Sequence, residues 1–511
     1  MSENINAAPS QRWHKITAKL FEKQDGASLA VFRILLGLLL MSDVLKKFSG
    51  KYVVHDFKPT YYGFDWIQAN QSVVEICINL LPYTVFCIIL GLFYRLAMPL
   101  TTLMVGYLFL AFPEHYLNHY YLLFLYLTLM SFIPANRTWA IDALLQKKNN
   151  PHPRQSVPRW CYLILKLQTE IMLVFAGLVK INNDWLHLLP LTGWIQIGLH
   201  DVPFIGWLFL YDTTVAIGAY GIIILHVLGA PLLFLRRTRF WVFSIYVCFH
   251  LTNTILFQIG IFPYMTIAAT LLFFNPDWPR KFINKLKPSI LTDAPFPSEA
   301  KRQAIWPQRI TLTLLSLWLI IQISIPIPSL FTPNIETEWS GHRDQFTWRM
   351  MLNERGIKTV AFAVHMPEEH RIEFVSLRNY SSERQCRRIT WSDITVQFAN
   401  HLKEVYSKKY DTDAVKVHAY IVLRINLRDT ELWTNPTLNL AKYKPVFGVH
   451  EWIEPADNPL RTWKEYLQAP KYIAPTYREV LTAMNLPPEE TVIFENNNLS
   501  IDTRVPKLTC R

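Results

Sequence analysis

The chain has 511 residues, 51% of them hydrophobic, and carries a formal net charge of +12. The length allows two or three domains, and the basic surplus does not indicate nucleic-acid binding, because most Lys and Arg lie in short loops between apolar runs. The six cysteines lack metal-ligand spacing, so the sequence predicts neither a zinc site nor a disulfide framework.

The apolar runs are confined to residues 28–330, which predicts a multi-pass α-helical membrane domain. Residues 1–27 are polar and are expected to form a cytoplasmic segment rather than a cleaved signal sequence. About eight or nine spans are expected, since several runs are near or below the ~20 residues that a straight span needs. In chain order, the predicted spans are residues 28–45, 72–93, 98–113, 119–135, 160–181, 213–234, 240–257, 261–275 and 310–330.

The loops between these spans differ in charge. If the N-terminus is cytoplasmic, the inner segments contain about 20 Lys and Arg, whereas the outer loops contain only four. This asymmetry follows the rule that basic residues stay on the cytoplasmic side. Nine spans then place residues 331–511 outside the cytoplasm, in a periplasm or an ER lumen.

Lys180 stands at the outer end of the fifth predicted span. A charged side chain inside a bilayer costs roughly 2.5–3.5 kcal/mol on insertion scales, so such a residue reaches the interface, pairs, or takes part in chemistry. Taken alone, a lysine at a helix end is more often an interface anchor, and a lone histidine is more often a packing partner. Several polar residues are nevertheless predicted at the same outer depth, which favours a site: Asp43, Asn118, His119, His250 and Asn253.

Residues 331–511 have the mixed polarity of a soluble α+β domain. Residues 359–364, 372–375 and 415–423 are predicted strands. Residues 391–408 carry apolar side chains at helical spacing and predict an amphipathic helix.

Short motifs run in a fixed order from about residue 28 to residue 440, and shared hydrophobicity does not explain so many. They are Ser28–Arg33, Asn118-His119, Ala176-Gly177 with Lys180, Asp184-Trp185, Phe249-His250 with Asn253, Pro276–Lys281, Trp348, Met350-Met351, Arg355, Asn426, Arg428 and Pro436. In this order they resemble the vitamin K-dependent γ-glutamyl carboxylase family and its bacterial relatives, which share the HTTM transmembrane domain.

The resemblance implies an enzyme. In that family a lysine at the membrane face deprotonates vitamin K hydroquinone, and oxygen then generates a strong base that removes a γ-proton from a protein glutamate. The glutamate takes up CO2, and the vitamin leaves as its epoxide. Lys180 matches the catalytic lysine, and His119 matches a catalytic histidine that stabilises the oxygen anion.

The resemblance also implies ligands and partners. Vitamin K hydroquinone or menaquinol would be the cofactor, O2 and CO2 the co-substrates, and no metal is expected. A glutamate-containing protein or peptide and the lipid bilayer are the implied partners, nucleic acid is not, and the oligomeric state stays open. The expected cofactor-binding residues are Asn118, Trp185, His250 and Asn253, and the expected substrate-binding residues are Trp348, Arg355, Asn426 and Arg428. For the substrate-binding group, a packing cluster at strand ends is the alternative.

The chain also departs from vertebrate members of that family. Val179 stands where they have a second lysine, and neither their β-rich C-terminal extension nor their cysteine pair has a counterpart here. The lack of a matching extension and of paired cysteines favours a bacterial inner membrane over an ER membrane. Three functions stay open: a γ-glutamyl carboxylase, a quinol oxygenase or epoxidase without carboxylation, and a non-catalytic membrane scaffold or transport component.

Overall fold

A computed structural model describes residues 9–47, 52–149, 155–198, 206–257, 259–286, 305–446, 448–495 and 499–506. Residues 1–8 of the predicted N-terminal segment and residues 507–511 of the C-terminal domain lie outside the described residues.

The N-terminal part is helical apart from one short antiparallel strand pair, β1 (Lys23–Asp25) with β2 (Ser156–Pro158). In chain order its helices are α1 (Pro9–Leu20), α2 (Ala27–Lys47), α3 (Gln71–Leu90), α4 (Tyr94–Ala111), α5 (Asn118–Phe132), α6 (Ile141–Asn149), α7 (Arg159–Leu178), α8 (Asn183–Leu186), α9 (Leu191–Gly198), α10 (Asp212–Ile224), α11 (Ala230–Leu232), α12 (Arg239–Leu256), α13 (Phe262–Thr270), α14 (Trp278–Leu286), α15 (Ile305–Ser324), α16 (Ile327–Phe331) and α17 (Asn334–Ser340).

Each of the nine predicted spans is largely helical. Within the described residues, six helices are long and apolar enough to cross a membrane. They are Ala27–Lys46, Gln71–Leu90, Tyr94–Ala111, Arg159–Leu178, Asp212–Leu232 and Pro307–Phe331. Helix α5 has 15 residues and the helix Phe262–Phe273 is also short, so the predicted total of eight or nine spans stays a prediction.

A buried arginine fixes the turn that follows α5. The guanidinium of Arg33 is fully buried and donates to the carbonyl oxygens of Ala135 at 2.8 Å and Trp139 at 2.6 Å. Gly91 ends α3 with a φ of 64°, and an added Cβ would lie 2.4 Å from the Cβ of Ala140. Glycine is therefore required where α3 approaches this turn.

The C-terminal domain contains a five-stranded sheet, which confirms the predicted α+β class. The strands are β3 (Arg355–Met366), β4 (Arg371–Val375), β5 (Lys416–Ile425), β6 (Glu431–Leu432) and β7 (Thr491–Phe494), in the order β6-β5-β3-β4-β7. Only the β4–β7 pair is parallel. The helices are α18 (Leu377–Tyr380), α19 (Glu383–Arg388), α20 (Ser392–Tyr410), α21 (Trp463–Gln468) and α22 (Tyr477–Ala483).

Helix α20 joins the sheet to the membrane domain. Phe398 packs edge-on against Phe362 of β3, with ring centroids 5.1 Å apart, and against Phe57 of the loop between α2 and α3, also at 5.1 Å. From the same helix, the amide of Gln397 exchanges hydrogen bonds with the backbone of Thr60 at 2.8 and 3.0 Å. The two domains are therefore packed against each other rather than connected by a free linker.

One cysteine forms a bond that the sequence does not reveal. No disulfide could be assigned from the cysteine spacing, and Cys386 of α19 is disulfide-bonded. Spacing along a chain does not reveal such a bond, because the partner is chosen by the tertiary fold. Four other cysteines, Cys77, Cys87, Cys161 and Cys248, are free thiols.

Candidate functional site

Lys180 lies two residues beyond the end of α7, at the junction between the two domains. Its side chain is buried, and Nζ donates to the carbonyl oxygens of Ala176 at 3.2 Å and Met350 at 2.9 Å. The amine also lies 4.9 Å from the centroid of the Trp185 ring. Because Met350 belongs to the C-terminal domain, both domains hold this amine.

The amine faces a cavity of about 230 Å³ between α5, α7, α10, α12 and the C-terminal domain. Its walls are mostly apolar or aromatic, with a few polar groups, as is typical of small-molecule sites. The lining residues are Leu117, Asn118, His119, Ala176, Lys180, Trp185, Leu191, Ile222, His226, Phe249, Asn253, Phe257, Ile259, Phe262, Arg349, Met350 and Met351.

Burial determines the acidity of this lysine. The pKa of the Lys180 amine is lowered from 10.5 to about 7: burial is the largest cause, the positive charge of Arg349 adds to the fall, and the carboxylate of Glu338 opposes it. A substantial fraction of the amine is therefore unprotonated near neutral pH. A neutral amine inside an apolar cavity can accept a proton from a bound acid.

The strap, defined as residues 343–351, contributes its last three residues to the wall of the cavity on the side of the C-terminal domain. Four of its non-glycine residues have left-handed backbone: Arg343, Phe346, Trp348 and Met351, with φ between 56° and 63°. Each such residue costs of order 1–3 kcal/mol, and this conformation persists only when surrounding contacts impose it.

Tyr116 and Asn118 impose the shape of the strap from the membrane side. The N–H of Phe346 donates to the Tyr116 hydroxyl at 2.6 Å, and that hydroxyl donates to Asn118 Oδ1 at 3.0 Å. The amide nitrogen of Asn118 in turn donates to the carbonyl oxygen of Arg349 at 2.8 Å. Asn118 lines the cavity, but its amide is already used to position the strap.

Most of the predicted catalytic and cofactor-binding residues line the cavity, and one of them does not. His119 lines the cavity from the first turn of α5, where the helix N-terminus favours negative charge, and Asn253 lines it from α12. Trp185 lines it as well, and its indole N–H donates to the carbonyl oxygen of Ala219 at 3.0 Å. His250 does not line the cavity: it is fully buried, with ring centroids of Phe249 and Phe262 at 5.0 and 6.1 Å.

Neither ring nitrogen of His250 has a hydrogen-bond partner among the described residues. Asp43, which was predicted at the same depth, also lies apart from the cavity, and its carboxylate accepts a 2.7 Å hydrogen bond from Tyr120. The structure thus brings Asn118, His119, Lys180, Trp185 and Asn253 together, but neither His250 nor Asp43.

His226 occupies the cavity wall and was missed by sequence analysis. It lies in a wide helical turn, Leu225–Gly229, that interrupts the sixth predicted span, and such π-turns often mark functional sites. Its Nδ1 is 2.9 Å from the carbonyl oxygen of Ile222. The available signal was a single histidine inside an apolar run, a pattern that indicates function by default.

Arg428 and Asn426, predicted to bind substrate, hold a carboxylate of the membrane domain. Arg428 donates to both oxygens of Asp184 at 2.7 and 2.8 Å, and the Asn426 amide donates to Asp184 Oδ2 at 2.6 Å. All three residues are buried. This cluster, which we call the Asp184 clamp, attaches the C-terminal domain beside Trp185 and Lys180.

Trp348 and Arg355, the other predicted substrate ligands, are also engaged by intramolecular contacts, and Arg355 is half-buried. The Trp348 ring is fully buried and stacks on Tyr121 with centroids 4.8 Å apart. Arg355 donates to the carbonyl oxygens of Thr390 at 2.8 Å and Glu338 at 2.6 Å. Their assignment to substrate binding stays a prediction, and neither residue lines the Lys180 cavity.

Two larger cavities lie elsewhere and do not include Lys180. An apolar cavity of about 650 Å³ lies between α4, α5, the end of α15 and the first half of the strap. A polar cavity of about 560 Å³ lies between α17, α19 and the start of β3. In the part of the chain that the structure describes, no group of three or more His, Cys, Asp or Glu side chains is arranged to hold a metal ion.

The models of two known domain families match the sequence. The model of the HTTM domain matches residues 21–278, half of the chain, and covers α2 to α13. The model of the vitamin K-dependent gamma-carboxylase, lumenal domain, matches residues 307–459, which include most of α15, the strap and strands β3 to β6. No solved structure matches the chain.

Proposed function

The chain belongs to the vitamin K-dependent gamma-carboxylase family, and we propose that it is a membrane enzyme in which Lys180 deprotonates a quinol to drive γ-carboxylation of protein glutamate. The single observation that carries this proposal is the buried Lys180 amine, whose pKa burial lowers to about 7 and which faces a largely apolar cavity at the domain junction. An interface anchor would instead extend its ammonium into water, where it would stay protonated.

The cavity fits a quinol ring. Its volume of about 230 Å³ and its aromatic walls suit a flat, mostly apolar ring, while Lys180, His119, His226 and Asn253 provide polar groups at the edge. When bound and oxidised by O2, vitamin K hydroquinone or menaquinol supplies the strong base that removes the glutamate γ-proton. The carbanion that remains at the glutamate γ-carbon adds to CO2, and the quinol leaves as its epoxide.

The residues of the chain have separate roles in this scheme. Lys180 accepts the phenolic proton, and the carbonyl of Met350 holds its amine toward the cavity. His119, on the same cavity wall, donates a hydrogen bond where negative charge develops on oxygen. Asn118 orients the strap, and Trp185 covers the amine and excludes water from it.

The C-terminal domain is assigned to peptide binding because a quinol reaction alone needs no domain outside the membrane. The disulfide at Cys386 supports placement of this domain in an oxidising compartment, as the loop charges predict. For Arg428 and Asn426 we propose an indirect role in which the Asp184 clamp positions the domain that presents the glutamate.

The test uses wild-type protein in lipid nanodiscs with reduced vitamin K or menaquinol, labelled bicarbonate and a glutamate peptide. We expect label in the peptide and epoxide from the quinol, and we expect Lys180→Ala protein to form neither. A peptide with glutamine in place of glutamate is the matched control for the label. If folded wild-type protein forms neither product with either quinol, the proposal is wrong.

A quinol epoxidase without carboxylation is the second candidate. One observation favours it: among the described residues, the side chains predicted to bind the peptide are engaged by the protein itself, with Arg428 and Asn426 on Asp184 and Arg355 on backbone carbonyls. Epoxide formation without label in any glutamate peptide, even at high peptide concentration, would select this function.

A further inference from the structure

A buried ion pair lies behind the strap. Arg349 donates through Nε to Glu338 Oε1 at 3.2 Å, and its Nη2 contacts the same oxygen. Glu338 is 2% exposed and Arg349 is 6% exposed. Glu338 belongs to α17, so the pair attaches the strap to the helix that leads into the C-terminal domain.

The pair is linked to Lys180 through the backbone. Arg349 lines the Lys180 cavity, and its carbonyl oxygen accepts the hydrogen bond from Asn118. The next carbonyl, that of Met350, accepts the hydrogen bond from the Lys180 amine. Since neighbouring strap residues have left-handed backbone, this short stretch needs an anchor, and the ion pair supplies one.

The pair also determines the charges near Lys180. Burial is the largest cause of the lowered pKa of the Lys180 amine. Arg349 lowers this pKa as well, and Glu338 raises it. Burial raises the pKa of the Glu338 carboxyl, and Arg349 opposes that rise. The other titratable or charged groups that face Lys180 or the pair are His119 of α5, His226 of the wide turn, Asp344 of the strap and Arg355 of β3.

Given the proposed role of Lys180 as a base, on which this inference rests, we propose that Glu338 and Arg349 are positioning residues of the reaction. They hold residues 349–351 against Lys180 and adjust the fraction of its amine that is free to accept a proton. Glu338 does not line the cavity, and the guanidinium of Arg349 is held by Glu338, so in this proposal both residues act through Lys180.

Loss of the two charges is expected to shift the pKa of Lys180 in opposite directions. Glu338→Gln removes the negative charge, so the pKa of Lys180 should fall by about 1 pH unit. Arg349→Gln removes the positive charge, so the pKa of Lys180 should rise by about 1 pH unit. A purely structural role predicts no such opposite shifts.

The full chain in nanodiscs, without quinol, is treated with a small amine-reactive reagent at a series of pH values. Peptide mass spectrometry then measures how much Lys180 has reacted at each pH. Only the free amine reacts, so the midpoint of the pH curve reports the pKa of Lys180. The exposed Lys408 serves as an internal reference. Glu354→Gln is the matched control, because it removes a carboxylate from another ion pair, with Arg424 at 2.6 Å, and should leave the midpoint unchanged.

Removal of one partner of a buried pair leaves the other charge buried without compensation and is strongly destabilising, and a single variant that fails to fold gives no midpoint. The double variant Glu338→Gln with Arg349→Gln removes both charges, and its midpoint should lie within about 0.5 pH unit of wild type. Shifts in the same direction, an unchanged midpoint in a folded single variant, or a larger shift in the double variant would overturn the inference.

Failure of this inference can be separated from failure of the proposed function. If the midpoints move as expected but wild-type protein forms no epoxide, the pair controls Lys180 and the function is wrong. If wild-type protein is active and the midpoints do not move, the function stands and the positioning role is wrong.

Discussion

At the scale of single residues, the amine of Lys180 combines burial with an unusual supply of acceptors. Two backbone carbonyls and the face of Trp185 surround it, and no carboxylate of the described residues forms an ion pair with it. Carbonyl acceptors orient the amine, but they compensate the charge of an ammonium less than a carboxylate would. The site therefore favours the free base, which is the form that accepts a proton.

The loss of this amine should stop the reaction. Lys180→Ala protein is expected to form no epoxide while it inserts and folds normally, as measured by product formation and by thermal unfolding in the same nanodiscs. Lys166→Ala is the matched control, since Lys166 lies on the same helix α7 and does not line the cavity. Normal epoxide formation by folded Lys180→Ala protein would contradict the assignment of Lys180 as the base.

The pH dependence of wild-type activity follows from the lowered pKa of Lys180, about 7. Protonation abolishes a base, so kcat/KM should be constant above pH 7 and fall about tenfold per pH unit below it. Burial is the main cause, so salt should move this midpoint little. If the fall of kcat/KM toward low pH were instead centred above pH 9, the base would be an ordinary, solvated lysine.

At the scale of elements, short segments outside the long helices bring the site together. Helix α8 has only four residues, yet it presents Asp184 to Arg428 and Trp185 to Lys180. The strap has no regular structure, yet its carbonyls hold Asn118 and Lys180. The geometry of the cavity therefore depends on how well the two domains are docked.

The Asp184 clamp can be tested through Arg428. Arg428→Ala leaves a buried carboxylate without its charge partner, a change that costs about 3–5 kcal/mol. We expect epoxide formation and carboxylation to fall together, with faster proteolysis of the strap. Asp184→Asn combined with Arg428→Gln should recover part of the loss, because both charges are removed.

Arg424→Ala is the control for this prediction, because Arg424 lies on the adjacent strand β5 and pairs with Glu354 rather than with the membrane domain. A different result, in which Arg428→Ala raises only the KM of the peptide and leaves epoxide formation intact, would support direct peptide binding by Arg428 as the sequence suggests.

At the scale of the whole molecule, a helical membrane domain and an α+β domain enclose the site between them. Hydrogen bonds exchanged between Gln397 and Thr60 and the clamp on Asp184 connect the domains at separate places. For the proposed function, such an arrangement would let a lipid-soluble quinol arrive from the bilayer and a peptide arrive from the aqueous side. It requires that the C-terminal domain lie on the side away from the cytoplasm.

This orientation can be measured with single cysteines. Lys408→Cys, on the exposed face of α20, should react with an impermeant maleimide in intact cells or spheroplasts. Arg236→Cys, in an exposed loop on the predicted cytoplasmic side, should react only after permeabilisation. The exposed Cys248 is replaced in both variants. The opposite labelling pattern would contradict the predicted topology and the proposed route of the peptide.

The amino-acid sequence by itself determined the helical segments and the α+β class of the C-terminal domain, and it identified Lys180 as a candidate site residue. These features follow from local signals: apolar run length, residue periodicity, and the cost of a charge at the membrane. Only the tertiary structure decided that Arg428 binds Asp184, 244 residues away, that His226 rather than His250 lines the cavity, and that Glu338 and Arg349 form a buried pair. Such partners depend on how the two domains dock, and no spacing along the chain encodes that contact.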